Sequence, residues 1–220
     1  MIRALILDFD GLIINTESVL IDSYAAVYRA HGVPFDRDEF IRSVGGAEYS
    51  FDPWHPFGRT ADRSDLEAAR GRHNRASGLA LTLLPGVLAL LDAGRSAGLR
   101  IGVASNSAHD HVDGHLARLG LLDRFSFIGC REDVASPKPE PDLYRLALDR
   151  FGLRGPEAVA FEDSRTGSLA AKRAGLWVVA VPNDVTAHHD FGHVDWKVNS
   201  LSEVTLPELL KRFDQQKQSL

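Results

Sequence analysis

Short apolar runs recur along the chain, separated by segments with helical spacing. Residues 3–8 form an apolar run without a helical period, ending at Asp8 and followed by the turn pair Asp10-Gly11. That pattern predicts a buried strand and a turn. From residue 17 to about 32 the spacing becomes helical, with Val19, Leu20, Tyr24, Val27 and Tyr28 three or four positions apart and Gly32 and Pro34 as stops. Residues 36–80 hold further helices and no strand signal, interrupted by an irregular stretch over 45–57. After Leu84-Pro85-Gly86 the pattern alternates. Helices are predicted over 87–97, 111–119, 141–151, 168–174 and 207–213. Strands are predicted over 99–104, 125–130, 158–161, 176–181 and 195–198.

Strands alternating with helices imply right-handed crossovers and a parallel sheet. The fold class expected is α/β: a Rossmann-like parallel core with helices on both faces, built from residues 1–15 and 83–220. The all-helical stretch over 16–82 interrupts it as an inserted cap. The chain has 220 residues, enough for one such core with an insertion.

Composition narrows the function. Apolar residues make up 44% and charged residues 25%, as in globular proteins. The longest apolar run, Leu176 to Val181, is too short to span a bilayer, and the first residues lack the apolar stretch of a signal peptide. A net charge of −5 argues against a nucleic-acid partner. The single cysteine, Cys130, is expected to be a reduced cytoplasmic thiol. A cytoplasmic enzyme, a monomer or weak homodimer acting on a small molecule, is the expectation. Of the 25 basic residues only five are lysines, and the first of them is Lys138.

In an open α/β sheet, ligands bind at the carboxyl ends of the strands. The residues that follow the predicted strands are Asp8, Asp10, Ser105, Asn106, Glu162 and Asp163. Four carboxylates gathered there raise one another's pKa unless a cation intervenes. A hard divalent cation with oxygen ligands answers that need, and Mg²⁺ suits a site that also takes phosphate. Taken singly, each acid also reads as a helix cap or turn former; their convergence favours the site.

Asp8-Phe-Asp10-Gly11, Ser105-Asn106, Lys138-Pro139 and Glu162-Asp163-Ser164 occur in that order. They resemble the four motifs of the haloacid dehalogenase-like hydrolases, closest to the β-phosphoglucomutase and phosphoglycolate phosphatase branch. The resemblance implies a Mg²⁺-dependent phosphatase for a small phosphomonoester, a sugar phosphate or phosphoglycolate-like acid. Asp8 would be the nucleophile and Asp10 the general acid and base. Lys138 would balance phosphoryl charge, and Ser105 and Asn106 would bind phosphate. Asp8, Asp10 (by its backbone carbonyl), Glu162 and Asp163 would hold the metal. The alternatives are a phosphosugar mutase and a metal-independent haloacid dehalogenase. Leu20 stands where the branch's mutases carry histidine, and 16–82 contains no lysine; both favour a phosphatase over a mutase. Asp10 and the Glu162-Asp163 pair count against a dehalogenase. A non-catalytic binding module on the same fold is countered by the presence of all four motifs.

Other features stay open or read as bland. His111 and His115 are four apart on a predicted helix, a possible zinc spacing, but a solvated face is the better reading. The aromatic stretch from Phe51 to Phe57 could line a substrate pocket or form the insert's own core. Residues 36–75 contain eight acids and seven arginines, so a mutually paired, solvated face is expected of most. Arg42 and the loop over 45–49 are the first candidates for substrate contact, by resemblance to the family's specificity loop.

Overall fold

The computed structural model describes residues 1–44, 52–58 and 60–216. The loop over 45–49, Phe51 and Arg59 lie outside the described residues. The chain divides into two compact units, one of residues 1–14 and 82–220 and the other of residues 15–81.

The larger unit is built on a parallel sheet of β1 (Ala4–Leu7), β2 (Arg100–Ala104), β3 (Phe127–Gly129), β4 (Ala158–Glu162), β5 (Trp177–Ala180) and β6 (Trp196–Lys197). Their order is β3-β2-β1-β4-β5-β6. Every pairing is parallel, with Leu7 level with Val103 on one side and Phe161 on the other. β1 is apolar at every position and fully buried, as a strand covered on both faces must be. Ala4 and Ile6 share one core cluster with Tyr144, Ala147 and Phe151 of α6 (Asp142–Phe151) and with Ala170 and Ala171 of α7 (Arg165–Arg173). Leu5 points to the opposite face, where Leu5 and Ile101 approach Gly94 of α4 (Val87–Ser96). α5 (His109–Arg118) and α8 (Leu206–Gln216) complete the unit. The strand order reverses direction at β1, between β2 and β4, and such a switch point opens a crevice at the carboxyl ends.

Local chemistry sets the edges of the elements. Gly11 turns the chain after Asp10 with φ 77°, and its N–H donates to the Ile14 carbonyl at 2.8 Å. Gly86 has φ 88°, and a Cβ there would lie 2.2 Å from the Ser202 backbone nitrogen, so both conformation and space require glycine. α7 starts at Arg165, earlier than expected, because Ser164 caps it by accepting the Gly167 N–H at 3.1 Å. β3 is shorter than expected at its start: the Phe125 N–H donates to the Leu122 carbonyl in a preceding 3₁₀ turn. The chain leaves and re-enters this unit side by side, with Ile14 bridged antiparallel to Leu83.

The smaller unit contains α1 (Thr16–Ala30), α2 (Arg37–Val44) and α3 (Arg63–Gly78). Asn15 caps α1 by accepting the Ser18 N–H at 3.1 Å, and Asp62 caps α3. Val27, Tyr28, Trp54 and Leu66 form its core, with Tyr24, Phe35 and Phe57 packed against them. Trp54 and Phe57 therefore belong to the unit's own core, and tilted and edge-on ring contacts link them to Tyr24 and Tyr28. Within 36–75, Arg63 pairs with Asp52 and Arg70 with Glu67, two of the pairings that the balanced charge predicts, while Arg37 pairs with Asp22 of α1. Arg42 is exposed on α2.

Candidate active site

Each candidate core residue stands at the carboxyl end of a strand or in the loop beyond one. Asp8 follows β1, and its N–H continues the ladder to the Phe161 carbonyl at 2.9 Å. Ser105 follows β2 and is tied to β3 through the Gly129 carbonyl at 2.9 Å. Glu162 is the last residue of β4, and Asp163 is next. Lys138 lies in the loop between β3 and α6. Asp8, Ser105, Lys138, Glu162 and Asp163 are all buried, Glu162 completely.

Lys138 Nζ donates to Asp8 Oδ1 at 2.7 Å and to Glu162 Oε1 at 2.6 Å. Burying an ammonium is tolerable only with such partners. Tyr144, on α6, adds a hydroxyl that donates to the same Glu162 oxygen, and its ring centroid lies 5.1 Å from Lys138 Nζ. Burial and the Glu162 charge push the Tyr144 phenol up, so it stays a neutral donor. Gly167 makes room for this arrangement: a Cβ there would lie 2.0 Å from Glu162 Oε2. Asn106 holds the lysine's loop from outside. Its Nδ2 donates to the Lys138 carbonyl and its Oδ1 accepts the Lys138 N–H, both at 2.9 Å. The Asn106 amide thus ties the Lys138 backbone to the end of β2.

Burial, opposed by Lys138, pushes the Asp8 carboxyl up to about 8. Asp8, Glu162 and Asp163 each present a carboxylate oxygen within 4.8 Å of the others. Three carboxylates against one ammonium leave a charge deficit, and the donors are all oxygen. That set fits a hard divalent cation, which would hold Asp8 ionised. Asn183, beyond β5, shapes the far side. Its Nδ2 donates to Asp163 Oδ2 at 2.8 Å and to the Gly11 carbonyl at 3.2 Å. Its Oδ1 accepts the N–H groups of Val185 and Thr186, which fixes the amide's orientation.

The Asp10 side chain faces the other way. Its Oδ2 accepts from Ser107 Oγ at 2.6 Å and lies 3.4 Å from Ser105 Oγ, while its Oδ1 meets His111 Nε2 at 2.8 Å. The solvated-face expectation for His111 is therefore corrected: it is half-buried against Asp10 because α5 starts beside the turn that follows β1. The Asp10 contact raises the His111 pKa against the opposing effect of burial. Asn183 and Tyr144 had no distinguishing mark in the sequence; one reads as a loop residue and the other as a core aromatic. Cys130 is buried, and burial pushes its thiol up to about 12, outside this chemistry.

A parallel α/β sheet with a lysine and carboxylates converging at the switch point places a charged, buried cluster where open α/β folds bind their ligands. Residues 2–175 match the family model of the haloacid dehalogenase-like hydrolases, and the chain belongs to that family. It is 37% identical to the putative phosphatase YhcW of Bacillus subtilis, over 98% of this chain and 100% of the other. It is 30% identical to the validoxylamine A 7′-phosphate phosphatase of Streptomyces hygroscopicus subsp. limoneus, over 95% and 99% of the two chains. The crystal structure of CbbY from Rhodobacter sphaeroides in complex with phosphate superposes with a TM-score of 0.72 at 28% identity, covering 92% of this chain and 96% of that one. The chain is an enzyme, a hydrolase of a family with phosphatases among its members. No helix among the described residues is long and apolar enough to cross a membrane.

Proposed function

We propose that this protein hydrolyses a small phosphomonoester, a sugar phosphate or a phosphoglycolate-like acid, through an aspartyl-phosphate on Asp8. The observation that carries this reading is the buried constellation of Asp8, Lys138, Glu162 and Asp163 at the strand ends. Asp8 is held in place by Lys138 and is the carboxylate that meets phosphorus. Lys138 offsets charge on the nucleophile and the incoming phosphoryl oxygens. Ser105 and the backbone N–H groups at the start of α5 serve the remaining phosphate oxygens. Asp10 gives a proton to the leaving oxygen and later takes one from water.

Asp8, Asp163 and the Asp10 backbone carbonyl would hold Mg²⁺, with Glu162 beside them and pinned to Lys138. The ion supplies charge neutralisation at the phosphoryl group and keeps Asp8 ionised. A net charge of −5 supports a small phosphate ester over nucleic acid as the partner.

Selectivity is assigned to the helical unit of residues 15–81, with Arg42 and the loop over 45–49 as its candidates. The core motifs handle only the phosphoryl group, which all such substrates share. The relative from S. hygroscopicus is named as a phosphatase of validoxylamine A 7′-phosphate, which supports a small phosphate ester as the substrate. The test is a panel of phosphorylated sugars and small acids, run with Mg²⁺ and after chelation, on wild type and Arg42→Ala. Hydrolysis should vanish with the metal and return with it. Arg42→Ala should lose kcat/KM on the best substrate and keep most activity on a generic aryl phosphate. Full turnover after rigorous metal removal overturns the site.

A further inference from the structure

His111 has no part in the chemistry described so far, yet it touches the one carboxylate assigned to proton transfer. Its Nε2 is 2.8 Å from Asp10 Oδ1. Toward the carboxylate that Asp10 becomes once its proton has left, Nε2 is the donor, because an ionised carboxylate only accepts. The other oxygen, Oδ2, accepts from Ser107 Oγ at 2.6 Å. Asp10 thus has a donor on each oxygen, both from the segment that opens α5. The imidazole is itself held: the fully buried Phe9 meets it edge-on with centroids 5.7 Å apart, and His115 meets it from the same helix at 4.9 Å. Phe9 lies between the two aspartates in sequence, so one short segment fixes nucleophile, acid and the ring that orients the acid.

We propose that His111, with Ser107, is the positioning residue of the general acid: the pair aims the Asp10 carboxyl and stabilises the charge it acquires on giving up its proton. The inference rests on the assignment of Asp10 as the acid. In the step concerned, a bond forms between Asp8 and phosphorus as the bond to the ester oxygen breaks. The Asp10 proton goes to that oxygen, which leaves as an alcohol, and Asp10 becomes a carboxylate. Donors already aimed at that carboxylate are worth more in the transition state than in the ground state, because the charge they meet is only then developing. A leaving group that departs readily as an anion needs no proton, so the contribution depends on the leaving group.

The experiment measures kcat/KM with Mg²⁺ across dinitrophenyl, nitrophenyl, phenyl and alkyl phosphates. For a two-step enzyme this constant reports the first chemical step. The variants are Asp10→Asn, His111→Ala, His111→Gln and Ser107→Ala, each first checked for a wild-type melting curve. Asp10→Asn should steepen the dependence on leaving-group acidity most. His111→Ala should lose about 10- to 100-fold on alkyl phosphate, the range for a hydrogen bond to a charged group, and less than about threefold on dinitrophenyl phosphate. His111→Gln, which returns an N–H donor near the Nε2 position, should recover most of the loss. Ser107→Ala should show the same pattern and carries the test if His111→Ala does not fold. An equal loss across the series, or no loss, overturns the role of His111. A flat series in Asp10→Asn would instead sink the assignment of Asp10 itself.

Discussion

Glycine 167 is helical, and substituting it tests whether the buried carboxylate network holds the site together. Helix propensity alone favours Gly167→Ala by about 1 kcal/mol. The structure predicts the opposite sign. A Cβ would lie 2.0 Å from Glu162 Oε2 and 2.1 Å from Cδ and Oε1, inside any permissible contact. Glu162 is completely buried and held by Lys138 and Tyr144, so its carboxylate cannot move without breaking both contacts. Disrupting a buried ion pair costs about 3–5 kcal/mol. Subtracting the propensity gain leaves about 2–4 kcal/mol of destabilisation, or very roughly 5–15 °C in Tm for a unit of this size. Lys138 then keeps only Asp8 as partner, and turnover should fall by about 10²–10³, the loss seen when one aimed donor is removed. Gly114→Ala is the control. Gly114 lies in α5 with nothing within 4 Å of the place an added methyl group would take, so that change should be neutral or stabilise by up to about 1 kcal/mol. Paired urea melts and aryl-phosphate assays on the two variants decide the matter. A Gly167→Ala protein as stable and active as wild type would refute the claim that Glu162 is locked in place.

Two further outcomes follow from the same geometry. Asn183→Ala removes the amide that links Asp163 to the Gly11 carbonyl; the metal concentration for half-maximal activity should rise about tenfold or more, as for other residues that orient a ligand, and a titration of activity against Mg²⁺ measures it. The metal-free protein carries Asp8 with a folded pKa raised to about 8, so between about pH 4 and 8 the folded state keeps a proton that the unfolded chain has released. That contribution to stability is present in acid and lost as pH rises through 8, whereas bound metal replaces the proton; the Tm difference with and without Mg²⁺ should therefore widen from pH 5 to 8, and a constant difference contradicts the protonated, metal-free Asp8.

Much of this was legible in the sequence because strands buried on both faces announce themselves as apolar runs, and the residue ending each run is a site candidate by position alone. Asp8, Ser105, Glu162 and Asp163 were located that way, and Lys138 by its place in the third motif; the structure brings Asp8, Lys138, Glu162 and Asp163 together. Element ends were less legible because single hydrogen bonds decide them: Ser164 advances α7, and the Leu122 carbonyl delays β3. The side-chain partners were least legible. His111 contacts Asp10 across 101 positions of sequence, and helical spacing relates it only to His115. Tyr144 carries the same apolar periodicity as its neighbours on α6, and only its hydroxyl, reaching Glu162, separates it from them. Asn106 was found for its position, while its two bonds to the Lys138 backbone depend on where a loop 32 residues later returns.

The central claim is that Asp8 carries the phosphoryl group. The most direct measurement is a rapid quench of Asp10→Asn mixed with Mg²⁺ and an activated aryl phosphate, followed by borohydride reduction and peptide mass spectrometry. With the second proton transfer slowed, the acyl phosphate should accumulate, and reduction should convert the residue at position 8, and no other, to homoserine. Continued turnover with Asp8 unmodified, or a label on any other residue, would contradict the account.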